Sequence, residues 1–129
     1  MHSLHLRQQY HFRPSPDGLL AWDVLRLIEL SRDLPVQQWP LDRISELDEP
    51  YWYGEDTQPN CRSIAGHAKL IHQADLQYPI ILCHQGRVMD GMHRICKALI
   101  LELQFIKAVQ FLTDIEPHYV GVRPDELPY

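Results

Sequence analysis

Apolar residues recur along this 129-residue chain with two different spacings, one typical of helices and the other of strands. Apolar positions three or four residues apart occur in three segments. The predicted helices cover residues 18–33, 61–73 and 91–103. Short apolar runs bounded by Gly, Pro and Asp predict strands between these helices. The predicted strands lie at residues 36–41, 78–82, 87–89 and 105–111.

The first and third predicted helices each have a defined apolar face that we expect to point into the core. In the first helix this face consists of Leu20, Val24, Leu27 and Ile28. In the third it consists of Ile95, Ala98, Leu99 and Leu103. The pattern therefore predicts an α+β fold in which helices pack on a small sheet.

A chain of this length has room for one domain, which we divide into three segments. Residues 1–35 form an N-terminal arm and helix, and within them residues 2–13 form an edge strand or a mobile arm. Residues 36–112 form the core. Residues 113–129 form a proline-containing tail that we expect to lie extended on the surface.

Residues 86–94, Gly-Arg-Val-Met-Asp-Gly-Met-His-Arg, are the most informative stretch of the chain. An apolar strand ends there in Asp-Gly, and a His-Arg pair follows in the first turn of a predicted helix. Backbone N–H groups at a helix start have no intrahelical partner and carry a partial positive charge. With a guanidinium and an imidazole beside them, they form a site suited to phosphate or another anion.

Composition narrows the functional classes. The formal net charge of −5 argues against non-specific nucleic-acid binding, which needs clustered Lys and Arg. The three cysteines have no CxxC spacing, so they indicate neither a disulfide framework nor a zinc ribbon. The sequence has no signal-peptide pattern and no run of apolar residues long enough for a membrane span. We therefore expect a cytoplasmic protein without a membrane partner.

Two strand segments carry a resemblance to a known superfamily. Residues 36–44, Val-Gln-Gln-Trp-Pro-Leu-Asp-Arg-Ile, resemble the opening strand of ParB N-terminal domains, and Pro79–Leu82 resembles the strand before the ParB signature. Together with the order of elements that follows, residues 36–111 resemble the core shared by ParB and sulfiredoxin. The resemblance implies an α+β domain with a small mixed sheet and packed helices.

The signature itself matches both branches of that superfamily in part. Gly91, Arg94 and Ala98 match the ParB pattern Gly-x-x-Arg-x-x-x-Ala, and Gly91, His93 and Arg94 match the sulfiredoxin Gly-Cys-His-Arg. Met92 stands where sulfiredoxin has its catalytic cysteine, so sulfiredoxin activity is not expected. Asp-Gly-x-His-Arg is similar to the form in free serine kinases and in stand-alone ParB-like bacterial proteins. The resemblance implies a nucleotide such as ATP or CTP, with Mg²⁺, at this helix start.

Arg94 and His93 are the first candidate ligands of the phosphates. Arg94 can offer a planar fork to a phosphate, or form a salt bridge with Asp90 or Glu49. His93 can bond a phosphate oxygen or transfer a proton, or pack with one nitrogen bonded to the backbone. The backbone of Gly91 and Met92 completes the predicted binding site, because a side chain at Gly91 would crowd an approaching phosphate.

Asp90 has three alternative roles. It can cap the following helix, since Asp is a preferred N-cap residue. It can instead share a Mg²⁺ with the phosphates, or act as general base toward a hydroxyl-bearing acceptor.

The resemblance adds candidates on other elements. It implies phosphate or ribose contacts from the preceding helix, where Arg62, Ser63 and His67 lie. It also implies a catalytic carboxylate after the first core strand, at Glu49 or Glu46. The aromatic residues at positions 51–53 can stack on a base, pack at the core edge, or form a contact in a homodimer.

Three functions follow as hypotheses. In the first, the domain is a small phosphotransferase or nucleotide hydrolase in which Arg94, His93 and the helix amides hold the phosphates and Asp90 or Glu49 accepts a proton. In the second, it is a non-catalytic module that senses a nucleotide or another anion, or docks a protein partner. The third, a nuclease, fits the acidic charge balance least.

Overall fold

The computed structural model describes residues 8–55 and 57–129, so residues 2–7 of the predicted edge strand or arm lie outside the described residues. The described strands are β1 (Tyr10–Arg13), β2 (Leu20–Asp23), β3 (Gln37–Pro40), β4 (Ile80–Leu82), β5 (Val88–Asp90), β6 (Phe105–Gln110) and β7 (Tyr119–Val120). The helices are α1 (Val24–Leu30), α2 (Cys61–Gln73) and α3 (Met92–Ile100). Helices and two sheets pack together, which confirms the α+β class.

The larger sheet is mixed and has the strand order β3-β6-β4-β5. β4 pairs with β5 in an antiparallel hairpin and with β6 in parallel, while β3 pairs antiparallel with β6. The parallel pair requires a crossover, which α3 supplies between β5 and β6. The end of the edge strand β5 and the start of α3 therefore meet at one end of the sheet.

The two faces of this sheet contribute to separate hydrophobic clusters. Ile80 and Leu82 point to one face, where they pack with Ile95 of α3. Ile81 points to the other face, into a cluster with Leu27 of α1. This alternation is the period of two that strands impose on their side chains. The sheet is thus covered by α3 on one side and by α1 on the other.

The start of the first predicted helix is wrong. Leu20 belongs to β2, which is the middle strand of a second sheet with the order β1-β2-β7. The helix begins only at Val24, where the Asp23 side chain accepts a hydrogen bond from the Leu25 N–H. Ala21 and Trp22 are buried in the strand. Leu20 suits the helical spacing of Val24, but pairing with β1 and β7 decides its conformation.

The C-terminal tail takes part in this second sheet. β7 pairs with β2, and the Trp22 indole N–H donates to the Ile115 carbonyl at 2.8 Å. The predicted extended tail is therefore joined to the N-terminal segment by backbone and side-chain hydrogen bonds.

The predicted apolar face of the third helix is only partly correct. Ile95 and Ala98 are fully buried, as expected, but Leu99 is 53% exposed and Leu103 is 44% exposed. α3 ends at Ile100, and Glu102 has a left-handed φ of 59° that prevents the helix from continuing to residue 103. No helix in the described ranges is long and apolar enough to cross a membrane.

His11 of β1 makes the stability of the fold depend on pH. Burial and the nearby Arg13 and Arg87 charges lower its pKa from 6.5 to about 4, and its Nε2 accepts a hydrogen bond from Arg13 Nε. Between these two values the unfolded chain binds a proton that the folded protein does not. The contribution of His11 to stability is therefore complete above pH 6.5 and is lost progressively as the pH falls to 4.

We expect His11→Phe to reduce the dependence of the free energy of unfolding on pH. The free energy of unfolding of the wild type should fall more steeply between pH 7 and pH 5 than that of the variant, as measured by urea denaturation at each pH. His84→Ala, which removes an exposed histidine, is the control and should retain the wild-type slope. Equal slopes for His11→Phe and the wild type would contradict the assignment.

Candidate functional site at the start of α3

A cavity of about 430 Å³ opens where β5 meets α3. All five residues of the segment Asp90–Arg94 line it. Most of the remaining wall comes from α1, from the C-terminal end of α2 and from the residues that lead into β4. Gln9 and Ile81 complete it. The structure therefore brings a cavity to the segment that the sequence singled out.

Gly91 forms the corner between strand and helix. Its φ is +109°, and it occupies the N-cap position of α3 without a side chain to accept hydrogen bonds from the first turn. A Cβ built there would lie 2.6 Å from Ile80 Cγ2 and 3.2 Å from Arg94 Nη2. Only glycine fits both the backbone conformation and the space, and it leaves the helix N–H groups without a side-chain cap.

Asp90 does not cap α3, so that alternative is wrong. Its Oδ2 accepts a hydrogen bond from Arg94 Nη2 at 2.9 Å, and both side chains are 17% exposed. Because Arg94 is four residues farther along the chain, its guanidinium curls back over the helix start and forms the Asp90 salt bridge that was one of its two predicted roles. The ion pair keeps the Asp90 carboxylate away from the helix N–H groups.

Arg94 also anchors the chain that leads into β4. Its Nη1 donates to the Tyr78 carbonyl at 2.9 Å and to the Pro79 carbonyl at 2.7 Å. With the Asp90 contact, three of its five N–H donors are used, and two have no partner among the described residues. The salt-bridge interpretation of Arg94 is confirmed, and its remaining donors are available to a ligand.

His93 is paired with His67 of α2. His67 Nδ1 and His93 Nε2 are 2.8 Å apart, a hydrogen-bond distance. Trp52 stacks on both imidazoles, with ring centroids 4.1 Å from His67 and 4.5 Å from His93 and an interplanar angle of 18° in each case. Trp52 therefore fixes the plane of both rings, and the His67 contact fixes which edge of His93 is turned away from α2.

This environment keeps both imidazoles neutral at physiological pH. Burial, then His67 and the Arg94 charge, lower the pKa of His93 from 6.5 to about 4. Burial also lowers the pKa of His67. A neutral imidazole has one N–H donor and one lone-pair acceptor, so His93 can either donate a hydrogen bond to a ligand or accept one.

Glu49 lies outside the cavity, in an ion pair with Arg87. The guanidinium donates to both Glu49 carboxylate oxygens, at 2.9 and 3.0 Å, and this hydrogen bonding lowers the pKa of Glu49. Glu46, the alternative carboxylate, is 2% exposed, and its Oε2 accepts from the Val88 N–H at 2.7 Å. These two carboxylates hold the start of β5 rather than lining the cavity.

Arg62 and Ser63 also lie away from the cavity wall. Ser63 forms a capping box with Asn60 at the start of α2, and its hydroxyl lies 3.2 Å from the Tyr53 hydroxyl. Arg62 is exposed on the same turn. Of the three α2 candidates, the structure joins only His67 to the segment Asp90–Arg94.

The aromatic side chains at positions 51–53 all pack against other side chains of the protein. Tyr51 packs against the core cluster, and burial, with the Glu46 and Asp90 charges, raises its pKa to about 12. Trp52 covers the two histidines, and Tyr53 contacts Ser63 and the edge of the His67 ring. The packing alternative for these residues agrees with the structure.

The described residues contain no group of three or more His, Cys, Asp or Glu side chains placed to hold a metal ion. Two carboxylates, Asp75 and Asp90, do line the cavity. Asp75 Oδ1 accepts from the Gln77 N–H, and Asp90 Oδ2 accepts from Arg94, so each carboxylate has one oxygen without a partner among the described residues.

Sequence reasoning missed the two strongest polar arrangements near this site. The Glu46–Arg87 contact joins residues 41 positions apart in sequence, at an Oε2–Nε distance of 3.2 Å, and the His67–His93 pair joins two helices. Neither contact has a recognisable sequence motif. For the Glu46–Arg87 contact there is a weak signal, namely a carboxylate within an apolar stretch and an arginine in a predicted hairpin. Comparisons with protein-family models, with curated proteins and with solved structures find no match to this chain.

Proposed function

We propose that this domain binds a nucleotide, with its phosphates at the start of α3 and its base in the cavity. The observation that carries the proposal is the cavity of about 430 Å³ at a helix start whose N-cap is a glycine. Its volume lies in the range of small-molecule sites, roughly 300–1,000 Å³. A helix start without a side-chain cap favours an anion at that end of the cavity.

Apolar side chains form part of the cavity lining. Val24, Leu25 and Ile28 contribute from α1, and Leu70 contributes from α2. An aromatic base buries apolar area and needs few polar contacts, so such a wall suits it. A lining that contains both apolar and charged side chains is consistent with a ligand that has one apolar part and one anionic part.

The charges of the cavity fit a phosphate that arrives with a divalent cation. Asp90 is neutralised by Arg94, whereas Asp75 has no cationic partner among the described residues. Carboxylate oxygens are ligands that Mg²⁺ prefers, and Mg²⁺ commonly binds through one or two carboxylates together with phosphates. Asp75 and Asp90 are the residues that would hold it, and the cation would offset the repulsion between carboxylates and phosphates.

A phosphotransferase or nucleotide hydrolase is the second candidate function. The observation that favours it is His93, a neutral imidazole on the cavity wall that can accept a proton from a hydroxyl-bearing acceptor or from water. Binding without catalysis, as in a sensing module, needs only the cavity. A relationship to the ParB/sulfiredoxin superfamily and the formation of a homodimer are part of this proposal.

Filling the cavity should abolish nucleotide binding without disturbing the motif. Leu25 is half-buried on the α1 wall, so Leu25→Trp places an indole in the cavity. We expect ATP, CTP or GTP with Mg²⁺ to raise the melting temperature of the wild type, because a ligand that binds only the folded state stabilises it. The same nucleotides should not raise the melting temperature of Leu25→Trp.

Leu30→Trp is the matched control, because Leu30 lies on the same helix, is 56% exposed and does not line the cavity. It should respond to nucleotide like the wild type. If no nucleotide stabilises the wild type at millimolar concentration, the proposal is wrong. For a nucleotide that binds, phosphate release is then measured with and without serine or glycerol as acceptor. Release indicates an enzyme, and binding without release indicates a sensing module.

A further inference from the structure

The His67–His93 pair lies between the cavity and the surface of the molecule. His93 lines the cavity, whereas His67 is half-buried on α2, a helix that has no buried residue along its length. The hydrogen bond between them uses His67 Nδ1 and His93 Nε2. His93 Nδ1 and His67 Nε2, the outer nitrogens of the pair, have no partner among the described residues.

Only two arrangements of protons satisfy this geometry when both rings are neutral. In one, His93 Nε2 carries the proton and donates to His67 Nδ1, which leaves His93 Nδ1 as an acceptor. In the other, His67 Nδ1 carries the proton and donates to His93 Nε2, which leaves His93 Nδ1 as an N–H donor. A shift of one proton along the 2.8 Å contact therefore reverses what His93 offers to the cavity.

We propose that His67 and His93 form a two-imidazole proton path from the ligand cavity to solvent, in which His67 is a positioning residue that sets the tautomer of His93. The proposal rests on the proposed function, because the cavity ligand is the source or the destination of the proton. It adds to that function a residue on α2 that does not line the cavity.

The transfer leaves one proton on each ring and inverts the tautomer of both imidazoles. His93 Nδ1 forms an N–H bond with a proton taken from the ligand hydroxyl or from bound water. His93 Nε2 releases its proton to His67 Nδ1, and His67 Nε2 releases its own proton to water. Both rings begin and end neutral, and one proton has moved from the cavity to solvent. In the reverse direction the same path delivers a proton to a leaving group.

The surroundings of the pair favour this neutral transfer over a stable imidazolium. Burial, then His67 and the Arg94 charge, oppose a positive charge on His93. Trp52 covers both rings, and the Tyr53 ring meets His67 edge-on at an angle of 82°. The two imidazole planes differ by 24° and lie under one indole, with the two bonded nitrogens already 2.8 Å apart.

The hydrogen bond can be tested in the wild-type protein without a ligand. An N–H···N bond between two imidazoles transmits a scalar coupling between the two nitrogen nuclei, which is measured by NMR on protein labelled with ¹⁵N-histidine. We expect this coupling between His67 Nδ1 and His93 Nε2. We also expect the ¹⁵N shifts of both rings to move at one common midpoint on acidification, because the added proton is shared. Absence of the coupling, or two independent midpoints, would overturn the proposal.

Variants at His67 separate positioning from proton transfer. His67→Asn replaces Nδ1 by a side-chain amide that can still hydrogen-bond His93 but cannot pass a proton on. His67→Phe retains an aromatic ring beneath Trp52 and removes both functions. Because the Asn amide can either donate or accept, we expect the hydrogen bond of His93 Nε2 to persist in His67→Asn and to be lost, with a mixture of His93 tautomers, in His67→Phe. His72→Phe, an exposed position on the same helix, is the control and should leave the His93 shifts unchanged.

The two proposals fail in different ways. If the coupling and the common midpoint are present but no nucleotide stabilises the protein, the pair is real and the cavity ligand is of another class. If a nucleotide binds but His67→Phe leaves the tautomer of His93 unchanged, the site is real and the proton path is wrong. Chemical denaturation of each variant confirms that the compared proteins are folded.

Discussion

Replacing Glu46 by alanine is expected to lower the free energy of unfolding by about 2 kcal/mol, because it leaves a buried backbone donor unpaired. The contact with Arg87 adds little, since that side chain is 44% exposed. Glu46 is 2% exposed, and its Oε2 accepts from the Val88 N–H at 2.7 Å and lies 3.2 Å from Arg87 Nε. Alanine removes both contacts and leaves the Val88 N–H buried in β5 without an acceptor. Urea denaturation measures the loss.

Two matched variants test whether the loss of stability comes from the buried hydrogen bond to Val88 or from the charge interaction with Arg87. Glu46→Gln retains an oxygen that can accept from the Val88 N–H and loses only the charge, so it should cost about 1 kcal/mol. Glu49→Ala removes the exposed partner of the same arginine and should have only a small fraction of the effect of Glu46→Ala. If Glu49→Ala destabilised the protein as much as Glu46→Ala, the hydrogen bond to Val88 would not be the source of the stability.

Gly91→Ala should destabilise the fold by about 3 kcal/mol, because the strain of a left-handed residue and the cost of overpacking add. The backbone φ is +109°, and the new Cβ would lie 2.6 Å from the side chain of Ile80, which is fully buried. Relief of that contact requires Ile80 or the start of α3 to move. Nucleotide binding, measured on the folded fraction, should weaken with it.

Gly66→Ala is expected to have the opposite effect on the stability of the protein. Gly66 lies in the middle of α2, and a Cβ built there has no atom within 4 Å. Alanine should therefore stabilise the helix by up to about 1 kcal/mol, since glycine is the poorer helix former. Equal effects of the two substitutions, compared by thermal unfolding, would show that the corner at Gly91 is not strained.

The hairpin and the helix after it could be predicted because local and tertiary preferences agree there. The apolar run before residue 83, the Asp-Gly corner and the 3.6-residue spacing of Ile95 and Ala98 all indicate the arrangement that is observed. The anion site that the sequence predicts at this strand-to-helix corner stays a prediction, although the cavity opens at the same residues. These features depend on residues that are close in sequence.

Features that depend on distant residues could not be predicted. Leu20 suits the apolar face of a helix, yet it pairs with Val120 of β7, one hundred positions away. The contact of His67 with His93 depends on how α2 packs against α3. The sequence does not determine this packing, because the conformation of the loop at residues 48–60 cannot be predicted from it. The apolar spacing of α3 likewise did not show that the helix would stop at Ile100.

The placement of β2 between β1 and β7 has a consequence for synthesis in the cell. Tyr119 and Val120 must leave the ribosome before β2 has its second neighbour, and Trp22 has no acceptor for its indole until Ile115 has emerged. β2 therefore gains this neighbour only after one hundred further residues, from Leu20 to Val120, have been synthesised. Until then one edge of β2 is open, and an open strand edge can pair with other chains.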